Sequence, residues 1–104
     1  MNKNLYRSEN FISEEVNNER IVLEYYLTKS EHPFKTGNIN YICYGVEVRM
    51  RKENENEYYE IQLSDGIFSS KDMAINFINK IADNLVTPCT LENVVSDMLL
   101  EALA

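Results

Sequence analysis

Residues 87–90, Thr-Pro-Cys-Thr, put a thiol where a helix is about to begin. A cysteine in the first turn of a helix can be held as thiolate by the dipole of the helix N-terminus. Nucleophilic chemistry also requires a base within hydrogen-bond reach, and the sole histidine is His32, in front of Pro33. Nothing in the spacing brings His32 to Cys89, and neither cysteine carries a cysteine-hydrolase signature. The neighbours of Cys89 have a plainer role. Proline suits the first helical position and either threonine can cap the helix, which leaves Cys89 as a small, half-buried filler.

The other chemistry-bearing residues fare no better. Cys43 and Cys89 are 46 positions apart, and a zinc site would have to recruit them with His32 and a carboxylate from distant segments. Both are expected to be reduced thiols in a cytoplasmic setting. Arg49-Met50-Arg51-Lys52 could contact phosphate, but Glu53, Glu55 and Glu57 follow at once, so the run reads as a solvated hairpin end. Tyr44-Gly45-Val46 and Asp65-Gly66-Ile67 are not phosphate loops. No carboxylate stands in an apolar setting that would raise its pKa. The sequence therefore predicts no catalytic, cofactor or metal site, and a protein that is not an enzyme.

Composition narrows the partners. Seventeen acidic against ten basic residues give 104 residues a net charge of −7, which repels nucleic-acid backbones. No apolar stretch approaches a membrane span, and residues 1–16 lack the apolar run of a signal peptide, so a cytoplasmic location is expected. A chain of this length is one domain, able to form a core without disulfides or metal.

The elements that must position these residues show in the periodicity. Ile21, Leu23, Tyr25 and Leu27 alternate with Val22, Glu24, Tyr26 and Thr28. Ile42, Tyr44, Val46, Val48 and Met50 alternate with a mixed set. Tyr59, Ile61 and Leu63 alternate with Tyr58, Glu60 and Gln62. Each run has the period of two that marks a strand with one apolar face. Lys52–Glu57 closes a hairpin, while residues 29–40 form a longer loop with His32-Pro33 and Gly37-Asn38. A turn at Val16–Glu19 would make Phe11–Val16 an edge strand; a short helix is the alternative there. From Ser69, capping with Asp72, the period becomes 3.6: Ala74, Phe77, Ile78, Ile81, Ala82 and Leu85 form one stripe. Leu91, Val94, Val95, Met98, Leu99, Ala102 and Leu103 form a second. The expected fold is α+β in two layers: an antiparallel meander of three or four strands with two C-terminal helices on one face. Residues 1–19 are an N-terminal segment, 20–68 the meander and 69–104 the helical pair of a single domain.

Helices on one face leave the other uncovered. That outer face carries Val22, Tyr26, Tyr41, Cys43 and Tyr58 among charged residues, with the N-terminal segment available to fold over part of it. Tyrosine is enriched in interface cores, so these five form the expected interaction face. The expected occupant is a protein partner or a second copy in a homodimer. A small-ligand pocket between helices and sheet is the alternative, and a cysteine-dependent enzyme or redox protein a further one.

The order of "EYYLTKS", "YICYGVEV", a charged hairpin and "SDGIFSSKDMAINFINKIADNLVTPCTLENVVSDML" resembles a domain-of-unknown-function family of clostridia and related Firmicutes. The likeness spans about residues 20 to 100. Its marks are Tyr44-Gly45-Val46-Glu47 and the Thr87-Pro88 junction before an apolar helix bearing Asp97. The resemblance implies bacterial origin and an architecture, but no catalytic residue.

Overall fold

The computed structural model describes residues 1–14, 17–33 and 40–103. Among them, four strands precede two helices: β1 (Asn2–Ser13), β2 (Glu19–Pro33), β3 (Asn40–Lys52), β4 (Glu60–Phe68), α1 (Lys71–Asp83) and α2 (Pro88–Leu103). The strands form one antiparallel sheet in the order β1-β2-β3-β4, the expected meander. Helix α1 packs across β1, β2 and β3, whereas α2 lies on β4 and β3. Ile21, Leu23, Tyr25, Leu27, Val46, Val48 and Met50 meet Ala74, Phe77, Ile78, Ile81, Leu91 and Val95 in a single core.

Several expectations need correction. The N-terminal edge strand is twelve residues, not the short Phe11–Val16 run, and it extends the sheet sideways instead of folding over it. Asn17 and Asn18, just before β2, both have positive φ (52° and 57°), a left-handed conformation that asparagine tolerates. Strand β2 continues through residues 29–33, which were expected as loop; there Ser30 pairs with Cys43 and His32 with Tyr41. Val16 and Gly37-Asn38 lie outside the described residues, as do the side chains of Ala102 and Leu103.

Helix α1 is capped by Ser70, not Ser69: its side chain accepts from the Met73 amide, with Asp72 in the first turn. Its end is a Schellman motif, in which the Val86 amide bonds to the Ile81 carbonyl (2.9 Å) and the Leu85 amide to Ala82 (3.1 Å). Leu85 is therefore outside the helix, with φ 53° and a side chain 39 % exposed. A leucine in that conformation costs about 1–2 kcal/mol relative to a residue that visits it freely. Leu85→Gly should accordingly raise stability by about 1 kcal/mol, read as a higher urea midpoint with an unchanged slope. In α2, Leu91 and Val95 are buried, but Leu99 turns outward with Leu100, so the apolar stripe is shorter than its sequence suggests.

Strand β4 departs most from its pattern. Its register against β3 puts Gln62 opposite Val48 and Ser64 opposite Val46 on the helix side. Gln62 donates to Glu92 of α2 (3.0 Å). Of the alternating apolar set expected to line the core, Ile61 and Leu63 lie opposite Arg49 and Glu47 on the other side, and both Ile61 and Tyr59, which precedes the strand, are half exposed.

Candidate functional site

The outer sheet face holds polar groups that are buried without a third layer above them. Thr28 is fully buried, and Glu24, Ser30 and Glu47 nearly so. The cause at one end is the Tyr44-Gly45-Val46 turn of sequence. Opposite Gly45, β4 carries extra residues between the Tyr44–Phe68 and Val46–Ser64 pairs, and Gly66 there has φ +67°. This bulge lies against the outer side of Gly45 so closely that a Cβ would stand 2.2 Å from the Ser64 carbonyl oxygen and 2.8 Å from the Asp65 Cα. The draped chain shields Thr28, Ser30 and Cys43, and Asp65 accepts hydrogen bonds from Ser30 (2.7 Å) and Thr28 (3.2 Å).

At the other end two buried carboxylates organise the face. Glu24 accepts from Tyr58 (2.5 Å), Tyr26 (3.1 Å) and Arg51 (3.3 Å). Glu47 accepts from Arg49 (2.6 Å) and from Lys3 of β1 (2.8 Å). The Arg49 guanidinium also lies over the Tyr26 ring at 4.1 Å and near the Tyr58 ring at 5.2 Å. Arg51 donates onward to the carbonyls of Glu53 and Glu55, each at 3.1 Å, and so ties down the β3–β4 connection. The basic run is thus a set of structural ion pairs and not a solvated hairpin end, while Met50 within it belongs to the core.

Desolvation pushes both carboxyls up, but hydrogen bonds from Tyr58, Tyr26 and Arg51 to Glu24 outweigh it. Those from Lys3 and Arg49 do the same for Glu47, and both pKa values fall below the ordinary carboxylate range. A carboxylate whose folded pKa is lowered contributes stability that is fully present above its unfolded pKa, near 4.3, and is lost as pH falls through the folded value. Thermal melts should therefore be flat from neutral pH to about pH 5 and fall steeply below it. Glu24→Gln with Glu47→Gln should flatten that acid limb.

The five residues expected to form an interaction face share one side of the sheet, although Tyr58 sits just before β4. They are not equally available. Val22 and Cys43 are buried, Tyr26 and Tyr58 are half-buried in the Glu24 cluster, and Tyr41 is 44 % exposed and stacked on His32 at 5.4 Å. Tyr26 and Tyr58, at the centre of the face, are partly sealed by one another, by Glu24 and by Arg49. The exposed apolar groups lie at the flanks: Leu5 (54 %) and Ile12 (59 %) on β1, Ile61 (52 %) on β4. Their register partners Tyr26, Arg20 and Arg49 place them on the outer side. The alternation of β4 was the available signal for Ile61, but periodicity does not say which side of a sheet an apolar row takes.

The two cysteines exchange expected environments. Cys43 is buried, with its thiol directed at the Ser30 carbonyl (3.9 Å), and Cys89 is exposed beside the Thr87 hydroxyl (3.4 Å). Thr90 closes the helix start, as its hydroxyl accepts from the Thr87 amide (3.2 Å) and donates to the Thr87 carbonyl (3.1 Å). His32 stacks on Tyr41 at the far end of the sheet. No group of three metal-ligating side chains occurs among the described residues.

A second concavity, of about 510 Å³, opens between the helices. Phe68, Phe77, Ile81, Val86, Val94 and Met98 line its apolar part, with Lys80 and Asp97 at its edge.

The model of a family of unknown function, DUF6514, matches residues 5–101, from β1 to the last turns of α2. The chain belongs to this family. No curated protein and no solved structure matches it. The DUF6514 match takes in both the Gly45 crossing and the Thr87-Pro88 junction, while Lys3, at the start of β1, lies just before it. No helix among the described residues of this DUF6514 chain is long and apolar enough to cross a membrane.

Proposed function

We propose that this DUF6514 protein is a non-enzymatic protein-interaction module of the cytoplasm of clostridia and related Firmicutes, which docks a protein partner on its outer sheet face. One observation carries the reading: exposed Leu5, Ile12 and Ile61 flank a centre whose buried carboxylates already have their hydrogen bonds made within the face. A partner covering it gains the apolar rim without stranding a charge, which is the costly event in most polar interfaces. The half-buried tyrosines supply the rigid aromatic surface that interface cores favour.

Capture of partners by tagged wild type, Ile61→Asp and Met73→Asp tests this. A partner retained by wild type and Met73→Asp but lost from Ile61→Asp supports the reading. A partner lost from Met73→Asp alone overturns it. That second outcome would favour the other reading, a small-ligand sensor, since the interhelical groove has the volume and apolar lining of a ligand pocket and Met73 is part of its wall.

A further inference from the structure

We infer that a second copy of this chain docks face to face on the outer sheet face, forming a two-fold dimer with the helices outside. This rests on the docking role given to that face above and names its occupant.

Two chains of net charge −7 repel one another unless they meet where that charge is absent. Among the described residues, the register puts Lys3, Arg20, Arg49 and Arg51 on the outer side with Glu24 and Glu47, and hydrogen bonds from Thr28 and Ser30 bring Asp65 of the bulge to the same side. Glu53 reaches Arg20 from the neighbouring connection at 3.2 Å. Four cations thus stand among four carboxylates of the described residues, a patch without the net negative charge that the whole chain carries. A balanced patch on an acidic molecule is the place where two copies approach with least repulsion. An isologous interface sets this patch against its own copy, and a patch of balanced charge meets that copy without a like-charge excess.

The face is also large enough for a stable dimer. Four strands about 4.8 Å apart, each about ten residues long, present roughly 600 Å² in plan. The accessible area of a corrugated surface exceeds its plan and so approaches the ~800 Å² per partner of a standard interface. The chemistry fits that arrangement. Leu5 and Ile12 stand on one flank and Ile61, with half-buried Leu63, on the other, so a two-fold axis through the Tyr26–Glu47 centre pairs apolar flanks around a saturated polar middle. Sheets packed face to face leave room of about 10 Å for such side chains.

Light scattering during size exclusion, on the full chain at its highest soluble concentration, tests the inference. The expected mass is twice 12.2 kDa for wild type and for Met73→Asp. Leu5→Asp and Ile61→Asp, both at exposed positions, should keep the wild-type circular dichroism and weaken the dimer by about tenfold or more. A wild-type dimer that survives both face variants, or that dissociates with Met73→Asp instead, overturns the inference. A wild-type monomer overturns it too, and capture then separates the two levels. If Ile61→Asp loses a different protein, the docking face stands and its occupant is not a second copy; if Ile61→Asp loses nothing, the face itself is refuted.

Discussion

Gly45→Ala should cost this domain about 3 kcal/mol or more, a large share of the 5–15 kcal/mol that holds a typical domain folded. A Cβ at Gly45 would stand 2.2 Å from the Ser64 carbonyl oxygen and 2.8 Å from the Asp65 Cα, and both are backbone atoms that no rotamer change can move. The Thr28 hydroxyl, 3.0 Å away on the third side, is pinned by its own bond to Asp65. Relief requires lifting β4 from β3 at the bulge, which exposes Thr28, Ser30 and Cys43 and strands the Asp65 carboxylate. Urea unfolding of Gly45→Ala should show a midpoint far below wild type, together with a Cys43 thiol that reacts in the native state. Gly66→Ala is the comparator. Its backbone is left-handed, but an added Cβ would meet the Cys43 sulphur at 3.4 Å, an ordinary contact, so the loss should be the about 1–2 kcal/mol of backbone strain alone.

Glu47→Ala is the second large effect. It removes the acceptor shared by Lys3 and Arg49 and leaves both cations beside a buried gap. Deleting one member of a fully buried pair costs about 3–5 kcal/mol. Lys3 and Arg49 retain side-chain exposures of 34 % and 23 %, so water screens part of that loss and about 2 kcal/mol is expected. Arg49 should also leave the Tyr26 ring, so Tyr26 and Tyr58 become more accessible to nitration or hydrogen–deuterium exchange at the neighbouring amides. Glu47→Gln keeps an acceptor oxygen and should lose less. Equal losses in the alanine and glutamine variants would mean that charge pairing, not hydrogen bonding, holds the face together.

The layer architecture was legible because period and layer are coupled. The alternation of 21–27 and 42–50 has one buried solution, and the stripes of 74–82 and 91–98 must cover it. Where two solutions satisfy the same pattern, the sequence does not choose. Tyr59, Ile61 and Leu63 alternate as a core row would, yet the pairing of Tyr44 with Phe68 and the bulge at Gly66 fix the even positions of β4 toward the helices. The displaced cap, Ser70 in place of Ser69, is a one-residue ambiguity between identical residues. Of the expected interaction face, the common side of Val22, Tyr26, Tyr41 and Cys43 was readable from parity, whereas Tyr58 reaches it from the chain just before β4, whose parity is the reverse of the expected one. The burial of Val22 and Cys43 was not, since it depends on neighbouring strands and on a loop that crosses at Gly45. Tyr44-Gly45-Val46-Glu47, noticed as a family mark, joins the glycine that admits the bulge to the carboxylate that anchors Lys3 and Arg49.

The outer sheet face as working surface is tested most directly by a photo-crosslinking amino acid placed at position 61, or at position 73 as reference, in the native cell. A covalent adduct is expected from position 61, either at twice the chain mass or with one defined protein, and a much weaker adduct from position 73. An adduct from position 73 with none from position 61 would contradict this and move the function to the groove between the helices.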